Sequence, residues 1–123
     1  MKFLKYQNIK IPHQGKVLTP AEAMKLAISQ ALKAVGCVEP NPLVGCVVTD
    51  SNHGFLSCGY HQVYGGAHAE VNALVGLTER QLKGAHIYVT LEPCAHEGKT
   101  PSCAKMLAAK PIASVIYLSL IHI

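Results

Sequence analysis

Tryptophan is absent from the chain, and two Phe and five Tyr make up its whole aromatic content. They are scattered, as are Lys25, Lys33, Lys83 and Lys110, so the mixed basic and aromatic tract of a nucleic-acid surface is not indicated. Long apolar runs are missing too. Pro, Gly or a polar residue breaks every apolar stretch well before the roughly 18 residues that a bilayer crossing needs. The first 20 residues carry four Lys where an export signal would place an apolar block. Neither nucleic acid nor membrane is therefore an expected partner. Charge is sparse at 15%, and 11 basic against seven acidic side chains leave +4, an excess that suits a phosphate-bearing ligand as well as RNA. Cysteine is present in the odd number of five, which argues for thiol or metal chemistry in the cytoplasm rather than a disulfide framework.

What remains is ample for one domain. Half of the 123 residues are hydrophobic, and a chain of this size buries enough surface to form a core without staples. Residues 1–18 show no sustained period and read as an irregular arm, so the domain proper is expected over 19–123. Thr19, Pro20 and Glu22 form a capping box that opens a helix, with Met24, Ala27, Ile28, Ala31 and Val35 on its packing face and Gly36 as its stop. Lys25, Ser29, Gln30 and Lys33 are expected mostly on the other side. Pro40 and Pro42 stiffen the loop that presents Asn41. Leu43 to Thr49 and Phe55 to His61 read as strands of a hairpin turned at Asp50 to Gly54. A short helix over Ala67 to about Val75, a strand over Ala85 to Leu91, a helix over Ser102 to about Lys110 and a strand over Ala113 to Leu120 complete the pattern. Helices alternating with strands after a hairpin imply a layered α/β domain with a mixed sheet.

His68 at the start of one helix, Cys94 just after a strand and Cys103 at the start of another helix supply one imidazole and two thiols. Zinc takes four tetrahedral N and S ligands, and a catalytic site stops at three protein ligands so that water can take the fourth place. A helix N-terminus would favour the thiolate of Cys103. Glu70 follows His68 by two residues, about 200° away on an ideal helix, so both reach one metal only if the first turn lies against it. A carboxylate there can take a proton from water and deliver it to a departing amine, which is hydrolytic deamination.

The His68-Ala69-Glu70 and Pro93-Cys94 pair resembles the zinc-dependent nucleobase deaminase superfamily. Eight residues separate Cys94 from Cys103, where cytidine and transfer-RNA adenosine deaminases have two. The segment from Pro93 to Cys103, together with Asn41-Pro42-Leu43-Val44-Gly45 and Tyr64-Gly65-Gly66-Ala67-His68-Ala69-Glu70, is similar to the riboflavin-biosynthesis pyrimidine deaminases. The resemblance implies a cytidine-deaminase-like three-layer α/β/α fold with a mixed central sheet. It implies zinc on His68, Cys94 and Cys103, Glu70 as proton shuttle, and Asn41, His61, Lys99 and Thr100 facing the substrate. The implied reaction converts 2,5-diamino-6-ribosylamino-4(3H)-pyrimidinone 5′-phosphate and water to the 5-amino pyrimidinedione and ammonia. An Asn amide suits an amino-pyrimidinone edge, and Lys99 with Thr100 suits a ribose phosphate.

Two departures stand out. Ser102 replaces a usual proline and still caps the following helix. The resemblance covers about residues 20–118, beyond which the family continues into an Asp-Pro-Asn-Pro segment and often a reductase domain. Here Ser119-Leu120-Ile121-His122-Ile123 follows, so a truncated C-terminus and a separate or missing reductase domain are expected. Homo-oligomer formation is left open.

Blander readings accompany each residue. An isolated Glu70 would be an ordinary first-turn acid, Asn41 a turn former, His61 a strand end, Lys99 a solvated cation and Thr100 a helix cap. Cys37, Cys46 and Cys58 read as core or loop thiols, and His13, His53, His86, His96 and His122 as ordinary histidines. Two rival functions use the same residues: a deaminase of a nucleoside or transfer-RNA base, and a noncatalytic zinc-stabilised interaction module.

Overall fold

The computed structural model describes residues 6–33, 44–60, 69–90 and 107–117. Helix α1, Pro20–Leu32, starts where its capping box dictates. Thr19 Oγ1 accepts from the Glu22 N–H at 3.1 Å, and Glu22 Oε1 accepts from the Thr19 N–H at 2.9 Å. Ala23, Leu26, Ala27 and Ala31 are buried along its inner face. Ser29 and Gln30 correct the sequence reading: expected on the outer side, they are 1% and 3% exposed. For Ser29 the reason is the preceding arm, which reaches it. The Ile9 N–H donates to Ser29 Oγ at 3.0 Å, and Ile9 packs against the cluster that holds Leu18 and Leu26. Val35 and Gly36 lie outside the described residues, and the described helix is capped by Lys33.

Strands β1, Gly45–Thr49, and β2, Phe55–Tyr60, form the expected antiparallel hairpin, with Gly45 opposite Tyr60 and Val47 opposite Cys58. Asp50 builds its turn: Oδ1 accepts from the N–H of Asn52 at 2.8 Å and of Gly54 at 2.9 Å. Past the hairpin come α2, Ala69–Leu74, and α3, Glu79–Leu82. The second of these is absent from the sequence reading, although Thr78 and Gln81 form a full capping box. Strand β3, His86–Val89, pairs antiparallel with β1, and β4, Ser114–Tyr117, pairs parallel with β3. The sheet runs β2-β1-β3-β4 and is mixed, as expected.

The two central strands explain the three layers. Cys46 and Val48 of β1, with Ile87 and Val89 of β3, face a core shared with Ala69, Ala73, Leu74 and Leu107. Val47 and Tyr88, the alternate residues, face a core shared with Ala23, Leu26 and Ala27 of α1. Glycine lets both helices come close. A Cβ on Gly45 would run into the carbonyl oxygen of Ala27, and one on Gly59 would lie 2.6 Å from the backbone N of Ala73.

Candidate active site

Backbone register gathers the flanks of every predicted site residue at one end of the sheet. Gly45, the start of β1, lies opposite Tyr60, the end of β2. The Gly45 N–H donates to Thr90 Oγ1 at 2.9 Å, and the Thr90 N–H donates to the Gly45 carbonyl at 3.0 Å, so the end of β3 is clamped to the same place. Ala69, the first residue of α2, packs over the neighbouring Gly59, its carbonyl oxygen 3.0 Å from where a Cβ would stand. Asn41 precedes β1, His61 follows β2, His68 precedes α2, and Cys94, Lys99, Thr100 and Cys103 fall between Thr90 and Leu107. These seven residues lie outside the described residues.

Glu70 is the predicted site residue that is described. It stands in the first turn of α2 and is only 2% exposed. A solvated first-turn acid would keep its carboxylate in water, because withdrawing a charge from water is costly without compensating bonds. Ala69 beside it is fully buried, and Ala73 packs on Gly59. Glu70 is thus a first-turn acid, as the blander reading has it, but a buried one.

Sequence reasoning missed two residues at this end. Thr90 is fully buried and clamps β1 to β3 through both its N–H and its hydroxyl. Asn72 donates from Nδ2 to the Tyr60 carbonyl at 2.7 Å, tying α2 to the last residue of β2. Its signal was available, since Asn inside a helix competes with the backbone and is tolerated for a reason. A threonine closing a strand carries no such mark.

Of the remaining thiols, Cys37 lies outside the described residues, and the other two behave as the sequence suggests. Cys46 is fully buried in the core, and burial pushes the Cys58 thiol above its ordinary value against the opposing effect of Lys33. A thiol so shifted stays protonated at neutral pH and is a poor metal ligand. Among the described residues, no three His, Cys, Asp or Glu side chains group to hold a metal. The donor set that does suit zinc is the imidazole of His68 with the thiolates of Cys94 and Cys103. Thr90, after which the Cys-bearing segment begins, and Ala69, which follows His68, stand at one end of the sheet, an arrangement compatible with that set. No helix among the described residues is long and apolar enough to cross a membrane.

Comparison with known proteins agrees with this geometry. Residues 19–119 match the family described as the cytidine and deoxycytidylate deaminase zinc-binding region. The riboflavin biosynthesis protein RibD of Actinobacillus pleuropneumoniae is 45% identical over 100 residues, covering 81% of this chain and 26% of its own length. A diaminohydroxyphosphoribosylamino-pyrimidine deaminase of Buchnera aphidicola subsp. Schizaphis graminum is 46% identical over 81 residues, covering 66% of this chain and 54% of that protein. Among solved structures, Acinetobacter baumannii RibD superposes with a TM-score of 0.71 at 41% identity, over 76% of this chain and 26% of that one. The chain thus spans about a quarter of the RibD proteins it matches. With its mixed sheet, its buried Glu70 and this match over most of its length, the chain belongs to the cytidine and deoxycytidylate deaminase family.

Proposed function

We propose that the chain is the zinc-dependent deaminase unit, from residue 19 onward, that removes the 2-amino group of 2,5-diamino-6-ribosylamino-4(3H)-pyrimidinone 5′-phosphate in riboflavin biosynthesis. The observation that carries this reading is the buried Glu70 at the sheet end where the segments bearing His68, Cys94 and Cys103 attach. The names of the RibD and diaminopyrimidine deaminase relatives support the substrate class. His68, Cys94 and Cys103 would hold zinc, which when bound supplies the Lewis acidity that brings water into a reactive state near neutral pH.

The chain's own residues do the rest. Glu70 takes a proton from the attacking water and gives it to the ring nitrogen beside C2 as the C–O bond forms, then carries the remaining hydroxyl proton to the exocyclic nitrogen, so that the C–N bond breaks, the carbonyl forms and ammonia leaves. Asn41 holds the amino-pyrimidinone edge by paired donor and acceptor atoms. Lys99 and Thr100 hold the ribose phosphate, and His61 completes the substrate contacts. We read the compartment as the cytoplasm, with the reductase of the next step on another domain or another protein.

Ammonia release from the diaminopyrimidine ribose phosphate, from cytidine and from transfer RNA, measured side by side, tests the proposal. Release from the first alone is the expected result. Release from cytidine or transfer RNA instead would move the chain to another branch of the family, and release from none would leave the noncatalytic module standing.

A further inference from the structure

We infer that Asn72 is a positioning residue: its hydrogen bond to the Tyr60 carbonyl fixes the rotation of α2 about its own axis and thereby aims Glu70. The inference rests on the reading of Glu70 as proton shuttle given above. Helix α2 has only six residues, too few to hold its orientation by length. It faces the sheet with Ala69 and Ala73, which meet Gly59 on β2. Backbone of α2 laid against a glycine, with no side chain from Gly59 to interlock, permits close approach but resists turning weakly. At 100° per residue, Ala69 and Ala73 lie about 40° apart, with Asn72 about 60° to one side of Ala69 and Glu70 about 100° to the other. Turning α2 therefore swings Asn72 and Glu70 together.

The bond from Asn72 Nδ2 to the Tyr60 carbonyl, 2.7 Å long and partly buried, is a directional element in this contact. Tyr60 is itself held in register opposite Gly45, which Thr90 clamps from the other side. The Asn72 amide thus ties the helix that carries Glu70 to a sheet end held by strand pairing and by Thr90. A displacement on the order of 1 Å at a proton-transferring group can cost roughly 100-fold in rate, so such a lock matters even where it adds little stability.

The test compares the zinc-loaded full chain with Asn72→Asp, which keeps size but loses the donor, Asn72→Ser, a smaller neutral variant, and Asn72→His, whose Nδ1–H restores a donor at similar reach. Each is assayed below its own unfolding transition. In Asp and Ser variants kcat should fall by at least roughly tenfold with KM within about threefold, and Asn72→His should recover most of the loss. Hydrogen exchange should quicken in the peptides covering 55–60 and 69–76 of Asn72→Ser, and much less in Asn72→His. Wild-type kcat in both donor-free variants, or loss in Asn72→His equal to theirs, overturns the inference. Should the wild type fail to turn over the substrate, the functional reading falls on its own, and unchanged exchange in Asn72→Ser then overturns the lock independently.

Discussion

Glu70 and Gln30 are both polar and both buried, at 2% and 3% exposure, yet the fold uses them oppositely. Glu70 stands in the first turn of α2, two residues after the proposed zinc ligand His68, and its proposed work requires a group that gains and loses a proton. Glu70→Gln keeps the shape and abolishes that exchange. The variant should bind zinc as the wild type does while kcat falls by roughly 100-fold or more; metal analysis alongside ammonia release checks both halves, and turnover within tenfold of wild type would remove Glu70 from proton transfer. Gln30 instead buries an Nε2 that finds no hydrogen-bond partner among the described residues. An orphaned buried donor costs roughly 1–3 kcal/mol. Gln30→Met should therefore raise the unfolding temperature by a few degrees, and a fall would reveal that the amide is bonded. The family was legible because its motifs are carried by residue type and spacing. The burial of Ser29 was not, because an arm with no period of its own reaches it through the bond from Ile9, and that arm is tied down by backbone bonds to the distant segment 53–55.

The start of α1 and the turn of the hairpin were read correctly. Thr19, Pro20 and Glu22 located the beginning of α1, and Asp50 located the hairpin turn, because each satisfies backbone groups within a few residues of itself. Helix α3 escaped although Thr78 and Gln81 carry the same device, since four residues are too short to show a helical period between its caps. The contact of α2 with β2 was also illegible, as nothing local says that Gly59 will meet Ala73. That contact now yields a prediction. Gly59→Ala would place a Cβ 2.6 Å from the Ala73 nitrogen and 2.9 Å from the Asn72 carbonyl carbon, both backbone atoms that cannot rotate aside. Stability should fall by about 1–3 kcal/mol. Because α2 carries Glu70, kcat measured on fully folded protein should fall as well. Denaturant unfolding and steady-state rates separate the two effects, and loss of stability with kcat intact would show that α2 moves without disturbing Glu70.

At the scale of the molecule, the mixed sheet does more than bury two cores. Its antiparallel pairs and its one parallel pair send the end of β2, the start of β1 and the end of β3 to the same side, and α2 begins there as well. Chain segments distant in sequence are thereby brought to one place by backbone pairing, before any metal ligand is considered. Zinc held by His68, Cys94 and Cys103 would join the start of α2 to the connection between β3 and β4, and a ligand that binds only the folded state stabilises it by mass action. At zinc 100-fold above its dissociation constant the gain is about 2.7 kcal/mol, which corresponds to roughly 10 °C in a domain of this size. Stripping the protein with a chelator should lower the unfolding temperature by about that amount and abolish ammonia release, and added zinc should restore both. Cys103→Ser should lose most of the zinc-dependent shift, whereas Glu70→Gln should retain it. Equal shifts in the wild type and in Cys103→Ser would place the metal elsewhere, and no shift in either would mean that the folded chain binds zinc no better than the unfolded one.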